Sequence, residues 1–191
     1  AMDAIQFCIR EFGSFDGLYH VAGGNAQTSG DGPLHELSLE GWHQTLDHNL
    51  TSMMLSNQAA VKTFMGMHKA GSILNMSSVL GFSPSPTHFA NHAYTTAKSA
   101  IIGFSKSIAS SYASHNIRVN VVAPAAIEGL GGISEDYNQY VTTKQPLDHG
   151  RYGHPTDLDG AAVYFMSDYS KFTTGQILSV DGGWDISDGQ L

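Results

Sequence analysis

A tyrosine and a lysine four positions apart are the residues in this sequence best suited to chemistry. Tyr94 and Lys98 fall on one face of a predicted helix, because residues four apart are neighbours on a helix surface. A free phenol has a pKa of about 10 and is a weak base at neutral pH. A nearby ammonium group favours the phenolate and lowers that pKa. The pair is therefore a candidate for acid–base chemistry, although Tyr-x-x-x-Lys alone is a common accident of helix surfaces.

Two further polar features accompany this pair. Ser77 and Ser78 directly follow a predicted strand, and Asn49 lies inside a predicted long helix, where asparagine is a poor helix former. Ligands of parallel sheets bind beyond the carboxyl ends of the strands, which is where Ser78 is expected. The simpler alternatives are that the serines only end a strand, that Asn49 satisfies a buried carbonyl, and that Lys98 is solvated.

The elements that would position these residues alternate between short β-rich runs and long helical stretches. Apolar periodicity predicts strands at 18–21, 72–76, 118–122 and 176–180, and helices at 39–68, 93–114 and 156–166. Ser38 is the predicted N-cap of the first of these helices, and residues 156–159 resemble a capping box. The segment 129–150, which is glycine-rich and polar around 137–141, is predicted to be a mobile flap with a short helix. The pattern predicts an α/β fold built on a parallel sheet.

Composition limits the classes of function. The 191 residues suit a single domain, 1–191, and nine Lys and Arg against seventeen Asp and Glu give a formal charge of -8. That balance argues against binding nucleic acid or anionic lipid, and no apolar run is long enough to span a membrane. The single cysteine, Cys8, excludes an intrachain disulfide, so a cytoplasmic location is expected. His88 and His92 lack the glutamate of a zinc motif, and no metal site is expected.

The order of these motifs resembles that of a known family. Six features occur in the order found in the short-chain dehydrogenase/reductase family. They are the strand and turn at 16–23, Asn49, the serine strand at 74–81, Tyr94 to Lys98, the strand at 118–124 and the C-terminal strand at 175–183. The resemblance covers essentially the whole chain. It implies a Rossmann-like parallel sheet with helices on its faces, and hydride transfer between a nicotinamide and a carbonyl or alcohol.

The resemblance also implies roles for individual residues. Tyr94 would exchange a proton with the substrate oxygen and Ser78 would hydrogen-bond that oxygen. Lys98 would lower the pKa of Tyr94 and hold the nicotinamide ribose, and Asn49 would position a water molecule that links Lys98 to solvent. The residues expected to bind NAD or NADP are Ala22, Gly23, Tyr94, Lys98, Pro124, Ala125 and Ile127.

The sequence departs from the family pattern at its start. The first strand and the glycine-rich turn that seats the cofactor pyrophosphate are not found, so an N-terminally truncated sheet with about four strands left is expected. The strand at 18–21 would then be an open edge, which we expect to be covered by another chain, by rearranged residues 1–12, or by a missing fragment. The choice between NAD and NADP stays open, because the segment that decides it is missing.

Smaller departures concern the turns around the site. His20 and Val21 stand where the family usually has two asparagines, and Ala125 replaces the usual glycine after Pro124. The segment between Ser78 and Tyr94 is a few residues longer than usual and is predicted to form a bulged loop at 84–91.

Two functions remain open on the sequence alone. The first is an NAD(P)-dependent oxidoreductase that acts on a small-molecule carbonyl or alcohol. The second is a truncated, non-catalytic relative that binds no cofactor alone and acts as a subunit partner. In either case a homo-oligomer is expected, because the helices at 39–68 and 93–114 match those which commonly form subunit interfaces in the family.

Overall fold

A four-stranded parallel sheet forms the centre of the molecule. In the computed structural model, which describes residues 1–24, 30–85, 88, 90–129 and 134–189, the strands are β1 (Gly17–His20), β2 (Gly71–Met76), β3 (Ile117–Pro124) and β4 (Ile177–Val180). Their spatial order is β1-β2-β3-β4, and all three pairings are parallel. The α/β class and the four parallel strands predicted from the sequence are confirmed.

Seven helical segments connect and flank the strands. They are α1 (Met2–Phe12), α2 (Leu39–Leu46), α3 (Ser52–Gly66), α4 (His92–Tyr112), α5 (Glu135–Lys144), α6 (Leu147–Gly150) and α7 (Asp159–Met166). Short 3₁₀ turns lie at Val79–Gly81, Ala113–His115, Pro155–Leu158 and Asp168–Ser170. Within the described residues, no helix combines the length and apolar character needed to cross a bilayer.

The helix predicted at 39–68 is not a single α-helix. Ser38 caps its start as predicted, because its Oγ accepts the N–H of Gly41 at 2.9 Å. A π-helical turn at Asp47–Thr51 then separates α2 from α3, and helical structure ends at Gly66 rather than His68. The extra residue in a π turn shifts the helix face, and Asn49 lies inside this turn.

Helices cover both faces of the sheet, since successive strand residues point to opposite sides. On one face Ile73 packs with Phe64 of α3 and Ala109 of α4, and α1 joins the same cluster through Ile5. On the other face Leu74 packs with Val122, Ala161 and Phe165, the last two from α7.

A buried amide pair ties helices α3 and α4 to β2. Asn57 of α3 and Asn75 of β2 exchange two side-chain hydrogen bonds of 2.8 and 2.9 Å. Asn75 also donates to Ser105 Oγ of α4 at 3.0 Å. Because both amides are fully buried, this network fixes the two helices against the strand that leads to Ser77 and Ser78.

The first helix settles one expectation about the edge of the sheet. α1 ends at Gly13 in the left-handed conformation (φ 75°) and packs on α3. Residues 1–12 therefore form a helix and add no strand to the open edge of β1. In the described part of the chain β1 pairs with β2 only.

Helix α7 begins at a different residue from the one that the sequence predicts. α7 begins at Asp159 after a 3₁₀ turn, and the capping carboxylate is Asp157, which accepts the N–H of His154 at 2.7 Å. The capping box predicted at 156–159 is thus two residues too late. The short helix predicted within 129–150 is α5, which is capped by Ser134. Residues 130–133 of the predicted flap lie outside the described residues.

Candidate active site

The serine pair at the end of β2 is anchored to helix α4. Ser77 Oγ donates to the carbonyl oxygen of Lys98 at 2.7 Å, and Ser99 Oγ of the same helix turn donates to the carbonyl of Gly81. Ser78 has an extended backbone, and its Oγ accepts the N–H of Leu80 at 3.2 Å, which starts the 3₁₀ turn. The strand end and the helix therefore hold each other in register.

Tyr94, Ser78 and Lys98 meet at this point. Tyr94 and Ser78 line the same cavity, and the Ser78 side chain is close enough to lower the pKa of the phenol. Lys98 is 4% exposed, and its Nζ lies 5.3 Å from the centroid of the Tyr94 ring. The same Nζ donates to the carbonyl oxygen of Met76 at 3.3 Å. The predicted triad is thus assembled around the carboxyl end of β2.

The effect of this environment on the tyrosine is opposite to the expectation. Burial raises the pKa of Tyr94, and the Ser78 side chain is the influence that lowers it. Burial also lowers the pKa of Lys98 to about 8. Burial of the phenol therefore outweighs the fall in the Tyr94 pKa that was predicted from Lys98. In this state the phenol is protonated at neutral pH.

Asn49 clamps the turn that follows β1. Its Nδ2 donates to the carbonyl of Gly24 at 2.9 Å and to that of Thr45 at 3.0 Å, and its Oδ1 accepts the N–H of Gly24 at 3.0 Å. The neighbouring Gly23 has φ +148°, and a Cβ there would lie 2.8 Å from Asn49 Oδ1 and 3.5 Å from Lys98 Nζ. The π turn thus directs a buried amide at a glycine turn that only a residue without a side chain can form.

His20 replaces an expected asparagine just before this turn. Its Nδ1 lies 2.8 Å from Ser56 Oγ of α3, so β1 is braced from that helix instead. Burial lowers the pKa of His20.

One cavity of about 400 Å³ joins these groups. Its lining includes seven of the nine predicted site residues, namely Gly23, Ser78, Tyr94, Lys98, Pro124, Ala125 and Ile127. Ala22 is exposed and lies between Val21 and Gly23, which both line the cavity. Asn49 lies behind the cavity and contacts it through Gly24. The predicted residues are therefore brought together, two of them at its margin.

Several residues of the site were not foreseen from the sequence. Tyr137, Trp184 and His88 form an aromatic wall of the cavity, and the His88 ring meets that of Tyr137 edge-on at 5.7 Å. Asp31, from the loop after β1, accepts the N–H groups of Ala93 and Tyr94 at the start of α4. The three residues of the aromatic wall come from segments distant in sequence. Their aromatic character is the one property in the sequence that indicates such a wall. Of the predicted loop at 84–91, residues 86, 87 and 89 lie outside the described residues.

The arrangement suits proton exchange with a small molecule beside a flat group. The Tyr94 phenol and the Ser78 hydroxyl line the same cavity as the Gly23 turn, where the lack of a side chain leaves room for close approach. The lining can hold the nicotinamide and ribose portion of a dinucleotide, since the Gly23 turn, Lys98 and residues 124–127 form a continuous wall. A glycine-rich turn for the pyrophosphate is not found in the sequence.

Comparison with known proteins agrees with this geometry. A family model described as enoyl-(acyl carrier protein) reductase matches residues 1–185. The 3-oxoacyl-[acyl-carrier-protein] reductase FabG of Chlamydia muridarum is 35% identical over 181 residues, which cover 94% of this chain and 69% of that protein. A short chain dehydrogenase from Leptospira borgpetersenii with bound NAD+ superimposes with a TM-score of 0.85 at 30% identity, over 96% of this chain and 70% of that one. The chain belongs to the short-chain dehydrogenase/reductase family.

A further solved member shows the same fold with another cofactor. The NADPH-dependent 3-quinuclidinone reductase from Rhodotorula rubra superimposes with a TM-score of 0.86 at 26% identity, covering 97% of this chain and 67% of that one. This short-chain dehydrogenase/reductase is thus related to oxidoreductases, and its sheet is a partial version of their Rossmann-like sheet. Its relatives include one bound to NAD+ and one dependent on NADPH.

Proposed function

We propose that this chain carries the reacting half of an NAD(P)-dependent oxidoreductase that interconverts a small-molecule carbonyl and an alcohol. The observation that supports this most directly is that Tyr94, Ser78 and Lys98 line one cavity, with the buried Lys98 Nζ 5.3 Å from the centroid of the Tyr94 ring. Membership of an oxidoreductase family supplies the reaction class.

Tyr94 is the proton donor in the direction of carbonyl reduction. Because burial raises its pKa, the phenol carries its proton at neutral pH. As the carbonyl oxygen gains negative charge, Tyr94 Oη gives up that proton and the alcohol forms. In the reverse direction the phenolate would accept the proton of the alcohol.

Ser78 stabilises the same oxygen before the proton arrives. Its hydroxyl oxygen accepts the Leu80 N–H, so it is oriented before any substrate binds. Donors that are already aimed at a developing oxyanion stabilise the transition state without reorganising.

The cofactor would occupy the side of the cavity formed by the Gly23 turn. A bound nicotinamide supplies or accepts the hydride at the carbonyl carbon. Lys98 would hold its ribose by hydrogen bonds from Nζ, Asn49 would keep the Gly23–Gly24 turn open, and Ala22, Pro124, Ala125 and Ile127 would form the remaining contacts. Both NAD and NADP are compatible with this half of the site.

Direct titration of the 191-residue chain with NADH and NADPH, followed by cofactor fluorescence, tests the proposal. We expect saturable binding of at least one cofactor. With that cofactor present, we expect the chain to reduce simple ketones. Gly23→Ala should weaken binding at least tenfold, because its Cβ would meet Asn49. Gly103→Ala, on an exposed face of α4 with open space around it, is the matched control and should bind normally.

The opposite outcome distinguishes the second candidate. No binding of either cofactor at millimolar concentration would contradict the enzymatic proposal for this chain. It would instead favour the non-catalytic relative that needs another subunit or segment to complete the site.

A further inference from the structure

The loop after β1 supplies the hydrogen-bond acceptors for the first three N–H groups of α4. The first N–H groups of any helix lack partners within the helix and must find them elsewhere. Here the carbonyl of Gly32 accepts from His92 at 3.5 Å, and the two carboxylate oxygens of Asp31 accept from Ala93 at 3.1 Å and Tyr94 at 2.9 Å. The residue at the N-cap position, Asn91, provides no side-chain cap for this helix.

The Asp31 carboxylate is buried, so these contacts are not incidental surface pairs. Its side chain is 5% exposed, and both oxygens are used on consecutive amides more than sixty residues away in sequence. A charge-assisted hydrogen bond to a backbone amide is shorter and stronger than a neutral one. A negative charge is also stabilised by the dipole at a helix N-terminus.

The loop is itself fixed at several places. Gly24 is clamped by Asn49, and the carbonyl of Gly30 accepts the N–H of Ser38 at the start of α2. A Cβ on Gly30 would lie 2.6 Å from Ser38 Oγ, so that contact is close. Asp31 therefore presents its carboxylate from a segment already held by α2.

We infer that Asp31 is a positioning residue for Tyr94, an inference that rests on the proposed role of Tyr94 as the proton donor. Ser77 and Ser99 hold the second turn of α4 against the end of β2, but Tyr94 lies in the first turn. Asp31 fixes that first turn through the Tyr94 amide itself. It thereby sets the distance from the phenol to Ser78 and couples the glycine turn after β1 to the acid–base group.

The test uses Asp31→Ala, Asp31→Asn and a matched cap variant, Ser38→Ala. Small displacements of a reacting group can lower the rate about a hundredfold. In ketone reduction we expect Asp31→Ala to lower kcat about 10- to 100-fold while the KM for the cofactor changes less than threefold. Asp31→Asn keeps one acceptor oxygen and should recover part of the loss. Ser38→Ala removes the side-chain cap of α2 but keeps the backbone N–H that donates to Gly30, so it should leave kcat within twofold of wild type.

A second readout does not depend on turnover. Carbon-13 labelling of the tyrosine rings gives an NMR signal for Tyr94, assigned by its loss in Tyr94→Phe. We expect the chemical shift and titration midpoint of this signal to change in Asp31→Ala and to stay unchanged in Ser38→Ala. If Asp31→Ala does not fold, Asp31→Asn takes its place in both measurements.

The outcomes separate this inference from the proposed function. An Asp31 variant whose Tyr94 signal and kcat match those of Ser38→Ala would overturn the positioning role, even in an active enzyme. Wild-type protein that neither binds cofactor nor reduces ketones would overturn the proposed function, and the NMR comparison would still decide whether Asp31 positions Tyr94.

Discussion

Lys98 lies over the face of the Tyr94 ring, with its Nζ 5.3 Å from the ring centroid, and donates to the Met76 carbonyl at 3.3 Å. The ammonium is buried with one backbone partner, which is an unfavourable environment for a charge. A group that costs stability in this way is typical of a functional site.

Lys98→Met should therefore stabilise the fold at neutral pH. Burial lowers the pKa of Lys98 from 10.5 to about 8, so between these values the unfolded chain binds more protons and native stability rises with pH. The variant lacks this penalty and should be more stable by about 2–3 kcal/mol below pH 8, given about 1.4 kcal/mol per pKa unit and one lost hydrogen bond. The advantage should shrink from pH 8 to 10.5. Urea unfolding at pH 7 to 10 measures it.

The control for removing a lysine charge is Lys106→Met, at an exposed position on the same helix. Surface substitutions usually change stability by less than about 0.5 kcal/mol. A Lys98→Met variant that is less stable than wild type at pH 7 would show that the Met76 hydrogen bond outweighs the cost of burial.

Tyr94→Phe should abolish proton transfer while preserving cofactor binding. The change removes the phenol oxygen and its contact with Ser78 but keeps the ring above Lys98. A positioned acid contributes about 10²- to 10⁴-fold to rate, and we expect kcat for ketone reduction to fall by that range. The dissociation constant of NADH should stay within threefold, measured by fluorescence. Equal loss of kcat in Tyr112→Phe, at the far end of the same helix, would argue against a specific role.

Asn49→Ala should loosen the turn after β1. The substitution removes two hydrogen bonds to Gly24 and one to Thr45, all made by a buried side chain. We expect a loss of about 2–3 kcal/mol in unfolding free energy and faster hydrogen exchange at the Gly24 amide. Thr51→Ala is the matched control, since it removes an exposed contact with Asp47 from the same π turn. If the Gly24 amide hydrogen exchanges at the wild-type rate in both variants, the Asn49 hydrogen bonds are not the contact that stabilises this turn.

Gly71→Ala should be among the more damaging small substitutions. A Cβ at this first residue of β2 would lie 2.5 Å from ring atoms of Phe64, which is fully buried and stacked on Phe15 with ring centroids 5.0 Å apart. The ring has no room to yield, so overpacking should cost about 1–3 kcal/mol. Gly66→Ala, with open space around it at the end of α3, should change stability little. Thermal unfolding of the two variants gives the comparison.

Local patterns in the sequence were sufficient for the strands and for the acid–base pair. Buried parallel strands are short apolar runs, and the predicted boundaries lie within two residues of the observed ones. Tyr94 and Lys98 are one helix turn apart, so their proximity follows from spacing alone. Ser78 was placed by the end of its strand.

Features that depend on distant segments could not be predicted. Asp31 meets its partners across more than sixty residues, from a glycine-rich loop with no periodicity. The raised pKa of Tyr94 follows from burial, which only the assembled cavity determines. The π turn at Asn49 was signalled by an asparagine inside a helix, but no spacing rule specifies where a helix takes an extra residue.

The strictly sequential order of the sheet has a consequence for how the chain folds. Each strand pairs with the one that precedes it, as at Gly17 with Ser72, Ser72 with Arg118 and Val121 with Ile177, so every pairing closes a loop of about fifty residues. Among the four strands that the structure describes, none has to insert between two that are already paired. The sheet can therefore grow from one side as the ribosome releases each strand and its helix, and the residues from β2 and α4 that form the candidate site can come together before β4 is made.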